Sequence, residues 1–274
     1  MWVWSKLSAV KWVDAWEERF YGNPNSVISG IKGGKSVRVE VYCGTEEGAL
    51  EIQEQFGGTV RELKSRDWVA MSAPKAEPLM IRDRLIISQV EVAEGTYPDK
   101  KVIVVPPEMA FGTGDHATTS TCMRFLVDVA KERSSTDWDL LDLGTGTGVI
   151  AIAARMLGAH HCHGMDFDPQ AVKVARRNVR RNEVSLVKIS EVDVLDWSPE
   201  RKWPVVVANL FSTILQQAFP AIAKAMEKEG DIIVSGILHD QWDETNAVAK
   251  KSGLLFSQIV RKGKWMTARG TYSP

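Results

Sequence analysis

The sequence predicts an α/β protein: a doubly wound parallel sheet with an antiparallel last strand, preceded by a small ferredoxin-like α+β module. Three observations carry that prediction. From about residue 118 onward, short apolar runs alternate with amphipathic helical stretches, the pattern of βα units around a parallel sheet covered on both faces. The first ~65 residues instead follow the order βαββαβ. The chain closes on LLFSQIVRKGKWMTARGTY, two strand-like runs joined by a tight KGK turn, which sends the last strand antiparallel.

Within the first part, residues 1–65, WVWSKL reads as a strand with Trp2 and Trp4 on one face. A helix follows, its apolar stripe at Ala9, Trp12, Val13, Trp16 and Phe20 in the spacing of one buried face. That stripe is expected in the core, and the module as a whole is expected to recognise the substrate. SVISGI and SVRVEVYC are strands joined by KGGK, and Thr45 with Glu46 and Glu47 opens a second helix that Gly57-Gly58 stops. TVRELK makes the fourth strand. Residues 66–105 read as a linker with short extended segments, LMIRDRLIISQVEV and KVIVV.

The third part, residues 106–274, starts with the helix TTSTCMRFLVDVAKE. WDLLDLG, HCHGMD, LVKIS, VVVANL and DIIVSGI are its strands. Helices fall at GVIAIAARMLG, DPQAVKVARRNVRRN, FSTILQQAFPAIAKAMEK and DQWDETNAVAKKSG.

Composition bounds the function. A chain of 274 residues with 44% hydrophobic and 25% charged residues is a globular protein of about two domains. The net charge of -1 gives no global signal for nucleic acid. Three scattered cysteines argue against a disulfide framework, and no apolar run reaches the ~18 residues of a membrane span. The tryptophans and charges of the first eighteen residues do not make a signal peptide, so the cytoplasm is the expected compartment.

The strongest chemical signal is Asp142-Leu-Gly-Thr-Gly-Thr-Gly148 between an apolar strand and a helix. Glycines at 144, 146 and 148 let backbone approach a ligand, and the helix behind them presents free N–H groups. A dinucleotide fingerprint needs its third glycine at 149, which is Val149. The next strand ends at Asp166, where an acid can accept both hydroxyls of a ribose, and Asp168 before Pro169 is the expected cap of the following helix. Asp193 can accept from an adenine amino group while Val194 covers a ring face, or Asp193 can be a solvated loop acid. VVVANL delivers Asn209 to the carboxyl edge of the sheet, where its side chain can hold a nucleophilic amine or the cofactor. AFGTGDHATT, at 110–119, lacks the strand that a cofactor turn needs and reads as a loop and helix start folding over the bound group.

The combination AFGTGDHATT, DLGTGTG, GMDFDP, VVVANL and SGIL, in this order and spacing, resembles the PrmA family. These are class I S-adenosylmethionine-dependent enzymes that methylate amino groups of large-subunit ribosomal protein eleven. The resemblance spans about residues 103–270 and implies the class I methyltransferase sheet, S-adenosyl-L-methionine as cofactor, and that ribosomal protein as partner, at lysine side-chain or N-terminal amines. It implies cofactor contacts at Thr119, Gly144, Asp166 and Asn209. Phe111, Thr113, Asp142, Thr145, Gly146, Phe167, Asp193 and Val194 complete the candidate cofactor set. Asn209, His116 and Asp115 are the catalytic candidates. The family usually reads GTGTHPTT and NILA where this chain has Asp115 with Ala117, and Phe211 with Ser212. A methyltransferase of the same fold acting on another protein or a small amine fits the same residues, as does an inactive cofactor-binding module.

Two features are read as decoys. In HHCH, 160–163, strand alternation points His161 and His163 one way and Cys162 the other, so one ion cannot collect the run, and no metal is expected. Lys173, Arg176, Arg177, Arg180 and Arg181 lie opposite Ala171, Val172, Ala175 and Val179, the solvated face of an amphipathic helix rather than a nucleic-acid patch.

Overall fold

A computed structural model describes residues 2–20, 23, 25–31, 35–62, 77–107, 114 and 116–274. The chain divides into two compact units, 1–73 and 74–274.

In the first unit, β1 (Trp2–Ala9), α1 (Val13–Arg19), β2 (Ser26–Gly30), β3 (Ser36–Cys43), α2 (Glu46–Phe56) and β4 (Thr59–Glu62) follow the predicted order. The sheet runs β2-β3-β1-β4 and every pairing is antiparallel, the ferredoxin-like arrangement. Thr45 caps α2 by accepting from the Gly48 amide, and Gly57, at φ 65°, ends it. An aromatic core of Trp4, Trp16, Phe20 and Phe56 holds helix to sheet, with ring centroids 5.7–6.2 Å apart. The predicted stripe needs one correction. β1 continues to Ala9 and a 3₁₀ turn occupies Val10–Trp12, so the helical face starts only at Val13. Trp16 is buried as expected, whereas Trp12 is 54% exposed.

The second unit is built on a seven-stranded sheet. Its strands are β8 (Leu140–Leu143), β9 (Cys162–Asp166), β10 (Val187–Glu191), β11 (Trp203–Asn209), β12 (Met226–Leu238), β13 (Leu254–Lys262) and β14 (Trp265–Tyr272). They lie in the order β10-β9-β8-β11-β12-β14-β13, parallel except for β14, which pairs antiparallel with both neighbours. The helices are α3 (Ala117–Glu132), α4 (Val149–Met156), α5 (Pro169–Arg181), α6 (Ser212–Ala225) and α7 (Trp242–Lys251). Two apolar layers sandwich the sheet. Met123, Leu126 and Ile152 of α3 and α4 pack over one face, and Leu215, Phe219 and Ile222 of α6 with Trp242 of α7 over the other. The chain steps outward from β8 to β10 and returns to β11 on the other side of β8. This reversal opens a crevice beyond the carboxyl ends of β8 and β11.

The stretch read as a linker behaves differently where it is described. β5 (Leu79–Ile81), β6 (Leu85–Ser88) and β7 (Lys101–Val104) form a three-stranded sheet of the second unit. Ile81, Leu85, Ile87 and Ile103 are buried in the same apolar cluster as α3 and α4. The single run LMIRDRLIISQVEV is two strands, folded back at Arg82, which adopts φ 53°. Asn182, just after α5, fastens β7 by accepting from the Val104 amide at 2.7 Å and donating to its carbonyl at 2.9 Å.

Candidate active site at the carboxyl edge of the sheet

The glycine turn follows β8 as its sequence requires. Gly144, Gly146 and Gly148 all have positive φ, at 70°, 53° and 80°. The amides of Gly144 and Thr145 both donate to the Met165 carbonyl at 2.9 Å, binding the turn to β9. A Cβ on Gly144 would lie 2.3 Å from Leu210, and one on Gly148 would lie 3.1 Å from the Cβ of Ala175. The first glycine therefore lets the β11 loop come close, and the third lets α5 pack against α4. Sequence reading missed Asn178: wholly buried on α5, it donates to the Thr147 carbonyl at 3.0 Å and steadies the loop from behind.

Asp166, at the tip of β9, is turned inward. Its Oδ2 accepts from the Gly146 amide at 2.8 Å, and its Oδ1 from the Asp168 amide at 3.1 Å. Burial raises its carboxyl above the usual range, against the pull of those amides. Asp168 caps α5 by accepting from Gln170, with Pro169 at the first helical position, as predicted. Phe167 stands beside this acid with 72% of its surface exposed.

Asp142 is wholly buried beneath the turn. The Thr145 hydroxyl donates to its Oδ2 at 2.5 Å, while its Oδ1 is buried without a hydrogen-bond partner. Burial pushes its carboxyl up to about 7; the Thr145 hydroxyl and the Ala151 amide act against that rise, and the charge of Asp166 adds to it.

Asn209 ends β11, in register with Ser235 of β12. Its Nδ2 lies 3.3 Å from Thr118 Oγ1 and 3.4 Å from Thr119 Oγ1, so its amide faces the start of α3. His116 caps that helix: its Nδ1 accepts from the Thr118 amide at 3.4 Å and lies 2.7 Å from the Thr118 hydroxyl. The His116 ring meets Trp265 edge-on, with centroids 5.5 Å apart. Trp265 and Thr118 were absent from the sequence-based set because only the fold brings residues 118, 209 and 265 together. Asp193 is exposed, and its Oδ1 accepts from the Leu195 amide at 2.9 Å, while Val194 is half-buried against the core. Of the sequence candidates, Phe111, Thr113 and Asp115 lie outside the described residues.

The strand order, the antiparallel strand inserted next to the edge and the glycine turn with its neighbouring acid define the class I methyltransferase architecture. Solved structures agree. The chain superposes on a ribosomal protein L11 methylase from Lactobacillus delbrueckii subsp. bulgaricus with a TM-score of 0.63 at 24% identity, over 73% of this chain and 100% of that one. It matches an S-adenosylmethionine-dependent methyltransferase from Clostridium acetobutylicum with a TM-score of 0.50 at 12% identity, over 59% and 94% of the two chains. Residues 28–272 match the family described as ribosomal protein L11 methyltransferase (PrmA), and the chain belongs to that family. Among proteins named ribosomal protein L11 methyltransferase, that of Dictyoglomus turgidum is 32% identical over 79% of this chain and 72% of its own. That of Clostridium botulinum is 33% identical over 88% and 77%.

Proposed function

We propose that this chain transfers a methyl group from S-adenosyl-L-methionine to amines of the large-subunit ribosomal protein L11, at lysine side chains, the N-terminus or both. The observation that carries the reading is the arrangement at the carboxyl edge of the sheet: the glycine turn over the buried Asp142, the Asp166 carboxylate that closes that turn, and the Asn209 side chain at the end of β11.

The cofactor supplies an electrophilic methyl group on a sulfonium centre. Asp166 offers lone pairs to its ribose hydroxyls, and Asp142 steadies the turn from beneath through the Thr145 hydroxyl. Gly144, Thr145 and Gly146 would bring backbone close to the cofactor, Asp193 and Val194 would border the adenine, and Phe167 and Thr119 would close remaining sides. Asn209 turns its amide toward Thr118 and Thr119, which leaves its carbonyl to accept from the substrate amine and aim the nitrogen lone pair. An amine attacks only when neutral, and His116 and Asp115 are the candidates for taking its proton. Holding nucleophile and donor in line can supply about 7–11 kcal/mol of barrier lowering, so the side chains act mainly by placement.

No helix among the described residues is long and apolar enough to cross a membrane. With its ribosomal substrate, a cytoplasmic location completes the proposal. Incubation with methyl-labelled S-adenosylmethionine and purified L11 tests it: label is expected on lysine or N-terminal amines of L11. Label in other proteins of an extract but none in L11 transfers the activity to a different substrate, and cofactor binding without any labelling removes catalysis altogether.

A further inference from the structure

The amino ends of β8 and β9 lie about 13 Å along the strands from the glycine turn, at the opposite edge of the sheet. Asp139 leads into β8 there, and His160 and His161 lead into β9. One carboxylate oxygen of Asp139 and one ring nitrogen from each histidine all fall within 4.8 Å of one another. Asp139 Oδ1 and His161 Nδ1 are 3.5 Å apart. Two ligand atoms bound at about 2.1 Å to a tetrahedral cation are separated by about 3.4 Å, so this pair already spans one edge of such a site.

The backbone beneath these ligands is fixed. His160 donates to the Trp138 carbonyl at 2.8 Å, the Leu140 amide donates to the His161 carbonyl at 2.9 Å, and the His161 amide donates to Asp139 Oδ1 at 2.9 Å. Arg201 donates to Asp139 Oδ2, the kind of outer hydrogen bond that orients a ligating carboxylate. Its positive charge also works against a cation, so affinity falls short of a thiolate-bound structural zinc. Alternation does separate the HHCH run as its sequence implied: Cys162 is buried, and His163 turns to Ser190 at 2.9 Å. The third ligand comes from the neighbouring strand, which the run itself cannot reveal.

We infer that Asp139, His160 and His161 form a binding site for one borderline divalent transition cation, Zn²⁺ or Co²⁺, with water as the fourth ligand. Two imidazoles and one carboxylate suit these ions, whereas Mg²⁺ and Ca²⁺ call for a shell of oxygens. The ion staples the amino ends of two central strands and lies apart from the methyl-transfer crevice. The site is independent of the proposed activity.

Titrating untagged, metal-free protein with Co²⁺ tests this by its visible absorption. One equivalent is expected to give the intense bands of a tetrahedral ion, displaced by Zn²⁺. His160→Gln and His161→Gln should each weaken binding at least about tenfold, and the double variant should abolish it. His163→Gln should leave binding unchanged, as should the double variant for S-adenosylmethionine affinity. The melting temperature should rise with Zn²⁺ in the wild type and in His163→Gln, and not in the double variant. Absence of saturable one-to-one binding to the wild type overturns the inference without recourse to any variant. Undiminished binding by the double variant overturns it equally.

Discussion

Asp166 reaches across from β9 to close the turn of β8, its Oδ2 accepting from the Gly146 amide at 2.8 Å. The residue therefore shapes the turn before it meets any ligand. Asp166→Asn keeps an acceptor for Gly146 but removes the charge. It should weaken S-adenosylmethionine binding by about 10–100-fold, the worth of one charged hydrogen bond at 1.5–3 kcal/mol, with little loss of stability. Asp166→Ala should cost affinity and also lower the melting temperature, since Gly146 then loses its partner. Calorimetry with thermal unfolding separates the two effects.

Asp142 predicts a pH dependence with a definite sign. Its carboxyl is pushed up to about 7 by burial, so the native state keeps a proton that the unfolded chain loses near 3.9. The contribution to stability is full below 3.9, falls as pH rises, and is gone above about 7. Between pH 5 and pH 8 the wild type should lose about 3 kcal/mol relative to Asp142→Asn, at 1.36 kcal/mol per unit. Urea midpoints at the two pH values measure it. Positive charge on a cofactor bound over the turn favours the ionised form, so cofactor binding below pH 7 should release a proton. Calorimetry in buffers of different ionisation enthalpy detects that release.

Asn209→Ala should leave cofactor affinity within a few-fold and reduce kcat by about 100-fold, the scale of a nucleophile misplaced by 1 Å. Thr118 and Thr119 would remain on a helix still capped by His116, so circular dichroism should be unchanged. A variant with full kcat would remove Asn209 from the reaction.

Arg269 on β14 ties three elements together. It donates to Asp231 Oδ1 at 2.8 Å and to Glu132 of α3 at 2.5–2.8 Å, while Arg133 holds the other oxygen of Asp231 at 2.8 Å. Arg269→Met should cost about 1–3 kcal/mol, because Asp231 is left half-satisfied in the interior. Arg133 limits the damage, and Arg133→Met with Arg269→Met should exceed the sum of the single losses. Denaturant unfolding of the three variants tests the cycle.

The elements that sequence rendered best are those where one local rule suffices. Period-two and period-3.6 patterns placed the strands and helices of the sheet, and Gly144, Gly146 and Gly148 between an apolar strand and a helix marked the turn. Trp12 escaped because a 3₁₀ turn interrupts the helical period, which composition does not signal. The packing of residues 79–105 was hidden for another reason: strands of three or four residues give too few alternations to distinguish an extended linker from a buried sheet. Trp265 and Asn178 are invisible in principle to a motif, since each matters through a residue far along the chain.

β14 runs between β12 and β13, bonded to both. During synthesis the ribosome therefore releases β12 with an unpaired edge and β13 with no neighbour to join. Neither gap closes until residues 265–272 emerge, so the sheet reaches its full width last, from the inside. The β12–β14 pairing, with Asp231 opposite Thr271, is non-local and forms slowly, whereas β13 and β14 close as a local hairpin. A nascent chain stalled before residue 265 should consequently stay protease-sensitive along β12, although the glycine turn and its acid were made more than sixty residues earlier.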